Sequence, residues 1–221
     1  MALLFAGLSL LGTAVAKSVS IVPLEGGCAA LPGYDASRGI AGPWTIEVNG
    51  CVNSTASNEP CSIEGYGSSA VYRILAGDNG VHQGYITIAH RNDIAKNPLR
   101  CNDASNSIEA WVPYGVSGYD WRSVRVANIP YSAPLMYGLE DKYSNPVLAY
   151  RLTVDGKPQD GIFLGAHNVT EWGIKYEQAE VGSFGNPYWF FRLLGPNSQD
   201  PQTGKELEEG ESRTFIKING S

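Results

Sequence analysis

The chain is expected to fold as an all-β protein, a single-domain antiparallel β-barrel or β-sandwich of about eleven short strands with two disulfides. Three observations predict this. No segment of the 221 residues sustains the 3.6-residue hydrophobic period of an amphipathic helix. Short β-branched and aromatic runs recur instead, each broken by Gly, Pro, Asn or Asp. Composition agrees, because charged residues are only 17% beside 26 glycines, 12 tyrosines and 5 tryptophans. That mixture suits pleated, half-buried surfaces better than helices.

The first element is not part of the fold. Residues 1–16, MALLFAGLSLLGTAVA, form an apolar run that ends in the small-x-small triplet Ala14-Val15-Ala16. This is the pattern of a secretory signal peptide cleaved after Ala16. It leaves residues 17–221 as one β-rich domain, secreted through the secretory pathway. The run is too short for a membrane-crossing helix, which needs ~20 residues.

Secretion sets the meaning of the cysteines and of the sequons. Cys28, Cys51, Cys61 and Cys101 are even in number and lack a C-x-x-C spacing, which favours disulfides over a metal site. Three pairings are open. Joining sequence neighbours, Cys28–Cys51 and Cys61–Cys101, closes the shorter loops and is the pairing expected here. Asn53, Asn168 and Asn219 each begin an N-x-S/T sequon, so a glycosylated surface is expected.

The strand candidates follow in chain order. The first half offers Val19–Leu24, Trp44–Asn49, Ala70–Ala76, Val81–Ala89, Ile108–Val112 and Ser123–Ala127. The second half offers Val147–Val154, Ile162–Gly165, Glu171–Gln178, Tyr188–Leu194 and Arg213–Ile218. Asn79-Gly80 supplies the positive φ angles of a hairpin turn, and Asp155-Gly156 does the same within a loop longer than two residues. The polar stretch 91–106 reads as a disulfide-anchored loop. The acidic stretch 195–211 reads as an exposed loop before the last strand.

Charge narrows the partners. A net charge of -6 and a pI near 5.1 argue against nucleic acid and against an anionic membrane surface. The three histidines, His82, His90 and His167, form no H-x-H or H-E-x-x-H pair. His82 and His90 share a strand face but lie ~26 Å apart at ~3.3 Å per residue. No metal site and no cofactor are therefore expected. No G-x-S-x-G elbow is present either. Glu47, Glu109, Glu171 and Glu177 sit on strands, where a glycosidase would place its carboxylates, but Glu171 and Glu177 fit an ordinary outward polar face.

Three mid-strand arginines stand out: Arg73 in AVYRILA, Arg151 in LAYRLTV and Arg192 in WFFRLLG. A charge in an apolar strand is costly unless it is paired or used. Either these groups line an interior pocket, or their stems cover aromatics on the outer face. Aromatics are the second resource. Trp111, Tyr114, Tyr119 and Trp121 flank a Gly/Ser loop, and such rings stack on sugars or line apolar pockets.

Two functions follow as expectations. The first is an interior pocket for a small, largely apolar organic ligand, with the protein acting as a cofactor-free cyclase or isomerase through orientation of its substrate. There Arg151, Arg192 and His82 would be catalytic, and Arg73, Tyr150, Trp111, Trp121, Trp172 and Trp189 would bind the ligand. The alternative is an extracellular carbohydrate-binding or cell-wall protein whose surface aromatics hold an oligosaccharide. Exposed aromatic strands are compatible with a monomer or a homodimer.

Overall fold

The computed structural model describes residues 18–52, 61–73, 83–114, 118–139 and 141–220, apart from the side chains of Val52, Tyr72, Arg73 and Tyr114. The signal segment, Asn53, the Asn79-Gly80 turn, His82 and the Arg73 and Tyr114 side chains therefore lie outside the described residues.

The protein is all-β: one antiparallel sheet curled into a half-barrel, with 51% of residues in strands and no α-helix among the described residues. The first half of the chain forms β1 (Val19–Pro23), β2 (Ile40–Trp44), β3 (Ile46–Val52), β4 (Ser68–Arg73), β5 (Gln83–Ala89), β6 (Leu99–Asn102), β7 (Ser107–Tyr114) and β8 (Gly118–Ala127). The second half forms β9 (Leu135–Tyr137), β10 (Ser144–Pro146), β11 (Leu148–Val154), β12 (Lys157–Pro158), β13 (Phe163–Gly165), β14 (Glu171–Glu177), β15 (Tyr188–Leu193) and β16 (Ser212–Ile218). Across the sheet the order is β1-β11-β13-β16-β14-β15-β5-β9-β8-β7-β6-β2. β3 also pairs with β16, β4 with β5, β10 with β8 and β12 with β11.

The strands beyond the expected eleven are mostly short. β9, β10 and β12 have three, three and two residues, too few to show an alternation in the sequence. β6 lies inside the polar stretch 91–106 and pairs with both β2 and β7. Asp155 and Gly156, at φ 50° and 75°, make a two-residue turn between the paired Val154 and Lys157, tighter than expected.

The core lies on the inner face of the half-barrel. Alternation puts it there: Ser212, Thr214, Ile216 and Ile218 of β16 are buried, while Arg213, Phe215 and Lys217 are half-buried on the other face. The same period-2 logic sends Ile46 and Val48, Ile86 and Ile88, Ile108 and Ala110, Trp172 and Ile174, and Phe191 and Leu193 into one cluster. Burying each large side chain contributes roughly 1.5–3 kcal/mol. Trp172 meets Phe191 edge to face, with ring centroids 5.1 Å apart.

The disulfides join Cys28 to Cys101 and Cys51 to Cys61, which corrects the expected pairing. The cause is β6. Its pairing with β2 sets Cys101 opposite Ala41 and carries it to the short 3-10 turn Gly27–Ala30 that holds Cys28. Cys51, at the end of β3, then closes onto Cys61 ten residues later.

Candidate functional site

The outer face of the paired strands β7 and β8 brings Trp111, Tyr119 and Trp121 together. The register opposes Trp111 to Trp121 and Pro113 to Tyr119. Ile108, Ala110 and Val112 point into the core, as do Val124 and Val126, so Trp111, Tyr119 and Trp121 must face outward. All three rings sit on strands, Trp111 as expected, and Tyr119 and Trp121 because β8 begins at Gly118 rather than at Ser123. Trp111 is 37% exposed and Tyr119 53% exposed. Their rings are nearly parallel, 20° apart, with centroids at 6.4 Å. Trp121 adjoins Trp111 at 5.5 Å with a 56° tilt.

A polar network fixes one end of this row. The Arg100 guanidinium lies 4.3 Å from the Trp121 ring centroid, in cation–π geometry. Its Nε donates to Glu109 Oε2 at 2.7 Å. Glu109 Oε1 accepts from Asn102 Nδ2 at 3.1 Å and from Ser105 Oγ at 2.9 Å. Glu109 is thus a buried carboxylate satisfied by its neighbours, and it positions Arg100 over the indole.

Beside Trp121 opens a cleft of about 360 Å³, lined in part by Asp35, Arg38, Ile40, Pro43 and Arg100. The Asp35 carboxylate accepts from the hydroxyl and the backbone N–H of Ser37, at 2.6 and 2.9 Å. Those bonds from Ser37, with a smaller contribution from Arg38, hold it below the usual carboxylate range. Next to the cleft, the Tyr34 phenol donates to Asp103 at 2.6 Å, and that bond raises its pKa. The row of rings therefore continues into a charged cleft that presents a carboxylate and two guanidiniums.

The other expected site residues are placed elsewhere. Trp172 is fully buried, and its indole N–H donates to the Leu164 carbonyl at 3.0 Å. Trp189 is half-buried against Tyr176, 5.2 Å between centroids. Tyr150 is fully buried, and its hydroxyl accepts from the Asn168 backbone N–H at 3.2 Å. Arg151 is exposed and donates to the Gly161 carbonyl at 2.8 Å. Of the ligand-binding set, Trp111 and Trp121 come together, whereas Trp172 and Trp189 sit on β14 and β15, with β5 and β9 between them and β8.

Arg192 is buried, 2% exposed, and all its donors are taken by protein. Nε and Nη2 donate to the two Glu211 oxygens, Nη1 to the carbonyls of Tyr131 and Ser198, and Nη2 also to the carbonyl of Glu206. A guanidinium has five N–H donors, so none remains for a ligand, and its role is structural. The stretch 195–211 is accordingly not simply an exposed loop. Its Ser198 and Glu211 are buried where it folds over Arg192. Among the described residues no group of His, Cys, Asp and Glu is arranged to hold a metal ion.

Sequence reasoning missed Asp35, Arg38 and Arg100. The signal for Arg100 was a cross-strand partnership with Glu109, legible only once β6 is recognised. Asp35 announces itself weakly through the Asp-x-Ser spacing of an Asx turn. No protein-family model matches the chain, and no curated protein matches it either.

Proposed function

We propose that this is a secreted carbohydrate-binding protein that holds a glycan against Tyr119, Trp111 and Trp121, with the adjoining cleft hydrogen-bonding the sugar hydroxyls through Asp35, Arg38 and Arg100. The observation that carries the proposal is the near-parallel, solvent-exposed pair Trp111–Tyr119 on the hydrogen-bonded strands β7 and β8. Pyranose rings offer an apolar C–H face and a polar rim, and flat aromatic surfaces with charged groups beside them complement both. Large exposed rings grouped in one place mark interaction surfaces more often than chance. Binding rather than hydrolysis is favoured, since Glu109 is saturated by neighbours and sits under Arg100.

Secretion and glycosylation belong to the same proposal. Two disulfides suit an oxidising compartment, and no helix among the described residues is long and apolar enough to cross a membrane. Asn168 is exposed on the turn Ala166–Val169, and Asn219 is exposed just past β16, so both are reachable as glycan acceptors.

The test is calorimetric titration of the secreted protein with soluble oligosaccharides of glucose, N-acetylglucosamine, xylose and mannose. Binding to at least one series is expected, weakened about tenfold or more in Trp111→Ala and in Tyr119→Ala, with the melting temperature lowered by no more than about 4 °C. No binding to any series, or wild-type affinity in both variants, overturns the proposal.

A further inference from the structure

A second cleft, of about 320 Å³, lies at one end of the half-barrel and is separate from the aromatic face. Its apolar lining includes Val126, Ala133, Val169 and Leu193, of which Val126 and Leu193 belong to the core. The amide residues Asn128, Asn145 and Asn197 line it as well, together with His167. No Asp, Glu, Lys or Arg is among the lining residues. In a protein of net charge -6, that neutrality is local and specific.

The walls are held by backbone bonds. Arg192 reaches both walls with one nitrogen, Nη1 donating to the Tyr131 carbonyl at 2.8 Å and to the Ser198 carbonyl at 3.1 Å. The Tyr131 N–H donates to the Asn197 carbonyl at 3.0 Å, and the Leu193 N–H to the Ala133 carbonyl at 2.9 Å. His167 and Asn168, at φ 53° and 58°, form a two-residue turn closed by reciprocal bonds between Ala166 and Val169. Tyr131 keeps a positive φ of 68° within this network. Such a backbone conformation costs free energy in a tyrosine and persists only where its surroundings impose it. Ile129 and Tyr131 stay 54% and 46% exposed.

We infer that this cleft binds a small neutral organic molecule with an apolar body and one or two hydroxyl or carbonyl groups. The apolar lining supplies the hydrophobic term, and the amides and the imidazole can pair with polar substituents. A charged ligand would lose its hydration there and meet no counter-charge, which is costly. The volume falls at the small end of the roughly 300–1,000 Å³ range of ligand pockets. This inference is independent of the glycan proposal, since no residue is shared between the two clefts.

The test uses 2-naphthol as probe, with 2-naphthoic acid and 2-naphthylmethylamine as its charged counterparts. Amide shift mapping of the labelled protein is expected to move resonances of residues 126–133, 167–169 and 193–198 with 2-naphthol, and to show at least tenfold weaker binding of both charged relatives. Asn197→Trp, an exposed rim substitution, is expected to abolish those shifts while the rest of the spectrum stays native. The inference is overturned if saturating 2-naphthol leaves these amides unmoved, if the charged relatives bind equally well, or if Asn197→Trp retains the shifts. Because the map itself needs no variant, it decides the matter even if Asn197→Trp misfolds.

Discussion

Arg192 and Glu211 meet side-on, Nε to Oε1 and Nη2 to Oε2, both at 2.8 Å, with each side chain only 2% exposed. A charge on a central strand is tolerable on these terms alone. The guanidinium has a full-charge partner in bidentate geometry, and its remaining N–H groups are spent on carbonyls. The pair also explains Gly173 on β14, because a Cβ there would run into Glu211 Oε1.

Removing one member should therefore be expensive. Glu211→Ala leaves a buried guanidinium uncompensated, and its expected cost is about 3–5 kcal/mol in urea unfolding. Gly173→Ala should cost about 1–3 kcal/mol by overpacking the same carboxylate. In the Glu211→Ala background that second penalty should shrink, giving a non-additive double-mutant cycle. Losses below about 1 kcal/mol for Glu211→Ala would mean that water replaces the missing partner.

Two tryptophans of similar size should behave in opposite ways. Trp172 is fully buried against Phe191, and Trp172→Ala should cost about 3–5 kcal/mol. Trp111 is on the outer face with 37% of its surface free, so Trp111→Ala should lose only its cross-strand ring contacts with Trp121 and Tyr119, under about 1 kcal/mol. Parallel thermal or urea unfolding of the two variants checks the contrast. A large loss in Trp111→Ala would assign that ring to stability rather than to binding.

Asp93 should titrate far below an ordinary aspartate. The guanidinium of Arg91, which donates two hydrogen bonds to it, is the main cause of a carboxyl pKa lowered to about 2. The folded value is depressed, so any stabilisation is present above the unfolded value of 3.8 and is lost as pH falls through about 2. Both side chains are largely exposed, so the effect on global stability should be small and salt-sensitive. Carboxyl-detected NMR titration should show the low midpoint, and Arg91→Ala should return it toward the usual range. An unchanged midpoint in Arg91→Ala would remove Arg91 as the cause.

The strands with full alternation were legible as written. β16 shows why: Thr214, Ile216 and Ile218 go in while Arg213 and Lys217 find Glu171 and Glu47 outside. β6 was hidden, because Leu-Arg-Cys-Asn is too short for a period and follows Pro98. Missing β6 cost the disulfide pairing and the Arg100–Glu109 clamp together, since both depend on its partners. Arg192 was legible as unusual but not as structural. Its partners come from residues 131, 198, 206 and 211, and nothing in a one-dimensional pattern shows that a polar loop folds back over a strand.

The two disulfides should differ in worth for a reason that loop length alone supplies. Cys28–Cys101 spans 73 residues and Cys51–Cys61 spans 10. Cross-linking restricts the unfolded chain more when the closed loop is longer, by about 4 kcal/mol for the first bridge and about 3 kcal/mol for the second. Packing does not obscure the comparison. Cys28 and Cys101 are 1% and 7% exposed, Cys51 and Cys61 2% and 8%, so paired alanine replacements remove similar buried surface. The double variant Cys28→Ala/Cys101→Ala should therefore lose between about 1 and 2 kcal/mol more than Cys51→Ala/Cys61→Ala in urea unfolding. The larger loss should also free β6 and β2 locally, because that bridge ties the Gly27–Ala30 turn to β6 at its pairing with β2. Faster amide exchange confined to Ile40–Trp44 and Leu99–Asn102 would confirm the local part. Equal losses from the two double variants would show that residual structure in the unfolded chain, not loop closure, sets their value.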